Sequence, residues 1–182
     1  MMWDLPLSVE IDGKEHKIRN KCDFRVVLDV IAALNDEELP ENYRIFCALS
    51  IFYEDIDSIQ NIEEAAKKMV DVIDMGKNKS NPNAPKIMDW EHDFKYIAAA
   101  VSRVLGYDVR TPDKYTHWYS FLGAFLEIGD CLFNFIVAIR TKLSKGIKLE
   151  KNEQTFYREN RDAVDLPKKL TSEEQEWLNS EW

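Results

Sequence analysis

His117–Leu143, HWYSFLGAFLEIGDCLFNFIVAIRTKL, is the stretch of the sequence that decides the fold. Its aromatic and aliphatic residues, the densest in the chain, recur at the spacing of an amphipathic helix. Gly129 suits a helix C-cap and Asp130 a helix N-cap, so together they predict two helices that meet there. A membrane span from Trp118 to Ile139 would place Glu127 and Asp130 near the bilayer centre, at about 2.5 kcal/mol or more each. The stretch therefore predicts a soluble, core-forming pair of helices.

The second of these helices has more apolar residues than one buried stripe needs. Phe135 belongs to the main stripe, so we expect its side chain to be fully buried. Cys131, Phe133 and Val137 add a second apolar face, which is either further core or a surface that another chain partly covers. On the second interpretation these three residues are candidates for partner binding, and Phe133→Asp should leave the monomer folded.

Length and composition indicate one helical domain. A chain of 182 residues can bury one sizeable core, and its apolar fraction of 45% with only six glycines favours helices over a turn-rich all-β fold. We predict a mainly α fold, a multi-helix bundle with a small N-terminal β-hairpin. This domain should occupy residues 1–167, followed by a short helical appendage over residues 168–182.

The charge argues against nucleic acid as a partner. The net charge is −9 and the pI is near 4.9, whereas phosphate binding needs a clustered positive surface. Between Asp23 and Glu64 the sequence has eleven acids against two arginines, which equals the net charge of the whole molecule. The basic residues between Arg140 and Lys151 are best explained as a solvated helix end, with an acidic partner or nucleic acid as the alternative.

The cysteines and the N-terminus are typical of a cytosolic protein. Cys22, Cys47 and Cys131 are far apart and form no CxxC pair, so we expect reduced thiols rather than disulfides or a zinc site. The N-terminus has no basic segment followed by an apolar one, as a secretory signal would. We expect no export and no membrane partner.

The segment before the helices predicts a β-hairpin. Residues Ser8–Arg19 alternate apolar and polar around Asp12-Gly13, a strong signal for a two-residue turn. Because an isolated hairpin is only marginally stable, it should pack on the helices of its own chain or add strands to a partner. The first alternative is the simpler one.

Capping residues and breakers place the remaining helices. Asp23 should cap a helix that ends near Asn35, and Leu39-Pro40 should open a second. We expect the buried face of this second helix to carry five residues: Tyr43, Phe46, Cys47, Leu49 and Tyr53. The other predicted segments are a helix capped by Asn61 and closed at Gly76, an exposed loop over residues 76–85, a helix ending at Gly106, a helix start at Thr111-Pro112, a helix from about Asn152 to Val164, and a last helix after Thr171.

No motif in the sequence carries known catalytic chemistry. GxSxG, GxGxxG, HExxH and a P-loop are all missing, so we predict that the protein is not an enzyme and binds no cofactor. Asp89–Asp93 imitates the start of a calcium loop, but Phe94 and Ala100 stand where the glycine and the bidentate glutamate should be. We therefore predict no metal site there, and we expect an acidic first turn of a helix. His117 should be a capping or packing residue beside Trp118.

Six segments in a fixed order resemble a known family. They are VEIDGKEHKI (9–18), DFRVVLDV (23–30), DWEHDFKYIAAAVSRVLGYDV (89–109), THWYSFLGAFLEIGD (116–130), AIRTKL (138–143) and YRENRDAVDLP (157–167). Together they resemble the bacteriophage gp-fifteen-like family, small proteins of tailed phages and prophages of Gram-positive bacteria. The resemblance covers roughly residues 5–167. It adds Trp118 and Arg140, as motif positions, to the candidate partner-binding residues.

The resemblance implies a function that composition does not. It implies a gene between those of the major tail protein and the tape-measure protein, the position of tail assembly chaperones. Such a chaperone works in the host bacterial cytoplasm and coats the helical, apolar tape-measure chain while tail-tube subunits polymerise around it. The tape-measure protein is then the expected partner, with the tail-tube protein and a second copy of the chain as further candidates. The alternatives are a structural tail component that stays in the virion and a small helical host-interaction or regulatory adaptor.

Overall fold

The structure is a computed structural model that describes residues 4–76 and 84–167. These residues form eight α-helices and a two-stranded antiparallel sheet near the N-terminus, which confirms the predicted fold class. The elements are β1 Ser8–Ile11, β2 Lys14–Lys17, α1 Phe24–Leu34, α2 Glu41–Phe52, α3 Ile62–Ile73, α4 Trp90–Leu105, α5 Trp118–Leu126, α6 Leu132–Ser144, α7 Lys151–Glu159 and α8 Arg161–Val164. Most of the predicted loop over residues 76–85 and all of the predicted appendage over residues 168–182 lie outside the described residues.

Tertiary contacts divide the chain into two compact units. Unit 1 comprises residues 1–84 and 96–129, and unit 2 comprises residues 85–95 and 130–182. The predicted single domain over residues 1–167 contains parts of both units. Of the two helices predicted from His117–Leu143, α5 belongs to unit 1 and α6 to unit 2.

The β-hairpin forms with the predicted turn. Asp12 and Gly13 have φ angles of 49° and 74°, and two positive φ angles are what a type I′ hairpin turn requires. Asn61 Nδ2 donates to Asp12 Oδ1 at 3.0 Å, and the Asp12 N–H donates to Glu64 Oε2 at 3.1 Å. Ile11 is buried. The hairpin therefore packs on helices of its own chain.

An extended segment before α5 pairs with the segment before α1. The Phe24 N–H donates to the Thr116 carbonyl at 2.9 Å, and the Trp118 N–H donates to the Cys22 carbonyl at 2.8 Å. Asp23 Oδ2 accepts the Thr116 N–H at 3.0 Å, across 93 positions of the sequence. This pairing joins the two ends of unit 1.

The predicted helix start at Thr111-Pro112 is wrong. Arg25 donates from Nη2 to the carbonyl oxygens of Val109 and Thr111, at 2.9 Å each, and these bonds hold the backbone in a loop. The helix α5 begins only at Trp118. A long-range guanidinium contact overrides the local preference of Thr-Pro for a helix start.

His117 is the N-cap of α5, which confirms its predicted capping role. Its Nδ1 accepts the Tyr119 N–H at 3.0 Å, and its Nε2 lies 3.1 Å from the Pro6 carbonyl. Burial lowers the pKa of His117 below its ordinary value, although the bond to Pro6 opposes this. The ring is therefore neutral at pH 7, as an accepting Nδ1 requires.

Aromatic stacking dominates the core of unit 1. The rings of Phe24 and Phe121 lie parallel with centroids 4.4 Å apart, and Trp118 stacks on Phe121 at 5.8 Å. Trp118 Nε1 also donates to the Ile73 carbonyl at 2.9 Å, which ties α5 to the end of α3.

Burial raises the pKa of the neighbouring Cys22 thiol to about 12, so this thiol stays protonated and unreactive at neutral pH.

Unit 2 has a small core where α6, α7 and α8 meet. Ile139, Leu149 and Val164 are buried there, and three partly buried aromatic side chains pack around them: Phe135, Phe156 and Tyr157. The predicted single helix from Asn152 to Val164 is interrupted at Asn160, whose Nδ2 donates to the Phe156 carbonyl at 3.0 Å. Asparagine side chains compete with helix continuation in this way.

The predicted caps between α5 and α6 are displaced. The C-cap of α5 is Glu127 and the N-cap of α6 is Cys131, whose side chain makes no capping bond. Gly129, which lies between these two caps, has a φ of 58°, a backbone conformation that glycine adopts easily.

Candidate functional site

Three of the five predicted partner-binding side chains are buried. Trp118, Phe133 and Arg140 are 2%, 3% and 6% exposed, while Cys131 and Val137 are partly buried. Trp118 belongs to unit 1 and the other four residues to unit 2. Since Trp118, Phe133 and Arg140 are buried, these three do not offer an exposed surface to a partner, and partner binding by Cys131 and Val137 stays a prediction.

The two phenylalanines of α6 differ in burial. Phe133 is buried, which fits the alternative that the second apolar face is further core, whereas Phe135, expected to be fully buried, is only partly so. Phe135 packs at the edge of the unit 2 core, with its ring centroid 5.0 Å from that of Phe156. Since both residues fit an apolar helical stripe, the sequence pattern does not distinguish them.

Arg140 is the centre of a buried ion pair. Its Nη1 and Nη2 bind the two carboxylate oxygens of Asp93 at 2.6 and 2.8 Å. It also donates to the carbonyl oxygens of Val164, Ala163 and Ile87, at 2.7, 2.8 and 3.1 Å. All five N–H groups of the guanidinium are thus accounted for. Arg140 holds unit 2 together, and it presents no charge to a partner or to solvent.

The acidic turn at Asp89–Asp93 caps α4. Asp89 Oδ1 accepts the N–H groups of Glu91 and His92 at 3.0 and 2.9 Å. Burial alone would raise the pKa of Asp89, but these bonds and Lys86 hold it below the ordinary value. Among the described residues, no group of three or more histidines, cysteines and acids is placed to hold a metal ion.

An apolar groove lies between the end of α1, the start of α2 and α3 in unit 1. We call it the α2–α3 groove. Its lining is Leu34, Ile45, Ala66, Lys67, Met69, Val70 and Asp71. Its volume of about 320 Å³ is at the lower end of the roughly 300–1,000 Å³ of ligand pockets, so it suits a few apolar side chains rather than a large ligand.

The apolar stripe of α3 continues from the core into the groove. Met69 is buried at 1% exposure, whereas Val70, the next residue, is 38% exposed and forms part of the groove's outer wall. Ala66 lies one turn earlier on the same side of the helix, and its small side chain leaves space between α2 and α3.

The lining of this groove includes two charged residues, Lys67 and Asp71. Asp71 lines it, and Asp74 follows at the C-cap of α3, where there is no basic residue in the last turn. Burial raises the pKa of Asp74, and the charge of Asp71 raises it further. Asp36, Glu37 and Glu38 lie in the connection between α1 and α2, which joins two walls of the groove.

The outer side of α2 is also apolar. Tyr43 and Phe46 are 59% and 55% exposed, so their predicted place on the buried face is wrong. Leu49 and Tyr53 are buried as predicted and Cys47 is partly buried, and Ala48 and Phe52 complete the buried face. The helix α2 therefore exposes two large aromatic side chains. The signal was present in the sequence, because Tyr43, Phe46 and Leu49 cannot all fit one narrow stripe with Phe52.

A second, wider depression along α7 offers a weaker site. It is lined by Glu150, Lys151, Asn152, Thr155, Phe156 and Glu159. Because most of these side chains are polar and the depression is open to solvent, it lacks the apolar walls of the α2–α3 groove.

None of the helices in residues 4–76 and 84–167 is long and apolar enough to cross a membrane.

Comparison with known proteins identifies a phage family. The family model of the bacteriophage Gp15 protein matches residues 2–166, which is nearly the whole chain. Searches of the curated proteins and of the solved structures find no match.

Proposed function

Because the chain belongs to the bacteriophage Gp15 protein family, we propose that it is a non-enzymatic tail assembly chaperone. It binds the phage tape-measure protein in the host bacterial cytoplasm and leaves before the tail is complete. The observation that supports this proposal best is the α2–α3 groove, an open apolar groove on an acidic protein. An amphipathic helix that lays its apolar face into such a groove is a common mode of recognition.

The exposed outer face of α2 supports the same function. Tyr43 and Phe46 are large aromatic side chains, more than half exposed, on a helix that also forms one wall of the groove. Aromatic residues supply much of the binding energy of protein interfaces. The two surfaces together give a client helix more contact area than the groove alone.

The net charge fits a protein that coats a long client. Copies with a charge of −9 repel one another, which keeps a crowded complex dispersed. The same repulsion disfavours self-association of the free protein through this face.

Co-expression with the tape-measure protein tests the proposal. We expect the client to be soluble and to co-purify with the wild-type chain. Val70→Glu should abolish co-purification by placing a charge in the groove. Val104→Glu is the matched control, because Val104 is also a helical valine of unit 1 with a similar exposure, 41% against 38%. Circular dichroism should show that both variants are folded.

Two results would contradict the proposal. A client that is equally soluble alone and never co-purifies would exclude a chaperone. Detection of the chain in purified virions at a fixed copy number, by mass spectrometry, would favour a structural tail component instead.

A further inference from the structure

We propose that His117 is an acid-sensitive switch in unit 1: a proton taken up from solvent at Nδ1 breaks the cap of α5 and loosens the contact between α5 and the N-terminal segment at Pro6. This inference does not depend on the proposed function, because it concerns a contact within the chain. It goes beyond the capping role of His117 by predicting what happens to that contact as the pH falls.

The two ring nitrogens of His117 have opposite roles, which only the neutral ring can fill. A carbonyl oxygen only accepts, so Nε2, which lies 3.1 Å from the Pro6 carbonyl, carries the proton. Nδ1 accepts the Tyr119 N–H at 3.0 Å, so it carries none. A proton added to Nδ1 would point at the Tyr119 N–H, and both groups would then be donors. Protonation of the ring therefore removes the cap of α5.

The surroundings of His117 leave the charged ring no second acceptor in place. The residue is 2% exposed, and its backbone pairs with Asp23 in an isolated antiparallel bridge. The Tyr119 ring lies edge-on to the imidazole, with the centroids 5.3 Å apart. An imidazolium with one N–H unpaired in a buried site is costly, so the charged ring is stable only if it moves toward solvent. That movement gives up the bond to the Pro6 carbonyl as well.

Neighbouring titratable groups do not remove this conflict. The charge of Asp23 favours the imidazolium, but burial outweighs it and lowers the pKa of His117. The Asp23 carboxylate already accepts from Arg25 Nη1 at 3.2 Å. Burial raises the pKa of the Tyr119 phenol and of the Cys22 thiol, so both stay protonated and supply no negative charge at neutral pH. The switch therefore depends on the ring of His117 itself.

The pH dependence of stability tests the switch in the full-length protein. Because the pKa of His117 is lowered in the folded state, its contribution to stability is complete above the ordinary value of about 6.5 and falls as the pH drops below it. In this window the proton of His117 alone should raise the equilibrium constant of unfolding by up to about tenfold per pH unit. Urea denaturation followed by circular dichroism, between about pH 5 and pH 7.5, measures this constant.

Two histidine variants isolate the contribution of His117. In His117→Asn the side-chain oxygen can accept the Tyr119 N–H at every pH, so this variant should lose that part of the pH dependence. His16→Asn is the matched control, because it removes another histidine of unit 1, one that lies beside Ser58. It should keep the part that belongs to His117.

Nitrogen-15 NMR of the wild-type protein observes the ring directly and needs no variant. The imidazole spectrum at neutral pH should show a proton on Nε2 and none on Nδ1. On acidification, the protection of the Tyr119 amide from hydrogen exchange should fall severalfold, after correction for the intrinsic exchange rate. The Glu64 amide is the control, because it donates at 3.1 Å to Asn61, a helix cap that does not titrate.

Three results would overturn the inference. They are a proton on Nδ1 at neutral pH, the same pH dependence in the wild type and in His117→Asn, and equal losses of protection at Tyr119 and Glu64. Each leaves the proposed function intact, because the tape-measure protein can co-purify in either case. Conversely, a tape-measure protein that never co-purifies would leave the switch standing.

Discussion

The buried Arg140–Asp93 pair of unit 2 and the α2–α3 groove of unit 1 use charge in opposite ways. Around Arg140, every guanidinium N–H has an acceptor, and the carboxylate of Asp93 has no exposed surface. Around the groove, Asp71 and Asp74 stand at a helix end that already carries negative charge. Inside unit 2 the two opposite charges satisfy each other, whereas at the end of α3 two like charges add to the negative end of the helix dipole.

The largest expected effect comes from breaking the buried pair. Asp93→Ala leaves the Arg140 guanidinium buried without its counter-ion, which should lower the free energy of unfolding by about 3–5 kcal/mol. Urea denaturation followed by circular dichroism measures this. Asp108→Ala removes the exposed partner of Arg110 and should change the free energy of unfolding little. Equal losses in the two variants would mean that the Asp93–Arg140 pair is not buried.

The two phenylalanines of α6 provide a second test of unit 2. Phe133→Ala should lower the free energy of unfolding by about 3–5 kcal/mol, the usual range for a fully buried phenylalanine. Phe135→Ala should cost clearly less, because its side chain is already partly exposed at the edge of the core. The same denaturation experiment compares them. The reverse order would contradict the burial that the structure gives these two side chains.

The smallest expected effect is at Asp74, beside the groove, and it is a gain in stability rather than a loss. Burial and the charge of Asp71 raise the pKa of Asp74, so the folded protein takes up this proton at a higher pH than the unfolded chain. The ionised carboxylate therefore costs stability above that pKa, and the cost disappears as the pH falls below the ordinary value. At neutral pH and low salt, Asp74→Asn should raise the free energy of unfolding by about 0.3–1 kcal/mol.

Two comparisons check this assignment to Asp74. The gain in stability from Asp74→Asn should vanish near pH 3, because the wild-type aspartate is then largely protonated and as uncharged as the asparagine of the variant. Glu63→Gln, at the other end of α3, should instead destabilise slightly, since an acid is favourable at a helix N-terminus. A loss of stability in Asp74→Asn would contradict the charge assignment.

Local sequence patterns predicted the turn and the helix starts that depend on contacts between residues close together in the sequence. Asp12-Gly13 predicted the hairpin because a two-residue turn depends only on its own φ angles. Asp23 and Asn61 predicted the starts of α1 and α3, since each side chain accepts an N–H two or three residues later. These bonds need no information from the rest of the chain.

Long-range contacts decided what the sequence could not. Arg25 prevents a helix at Thr111-Pro112, from 84 or more positions away. The sequence does not show that Arg140 pairs with Asp93, because no local pattern distinguishes Asp93 from the other carboxylates of the chain. The groove was missed for the same reason, because it depends on how closely α2 approaches α3 at Ala66. Helical spacing indicates that a face is apolar, but not which neighbour covers it.

The pairing of Asp23 with Thr116 has a consequence during synthesis of the chain. The two residues lie 93 positions apart, so at 5–20 residues per second the ribosome needs roughly 5–20 seconds between them. Throughout that interval Phe24 has no Phe121 to stack on, although the residues that line the groove, Leu34 to Asp71, have already been made. The growing chain therefore exposes the inner face of α1 for seconds, and conditions that slow translation lengthen the time in which it can aggregate.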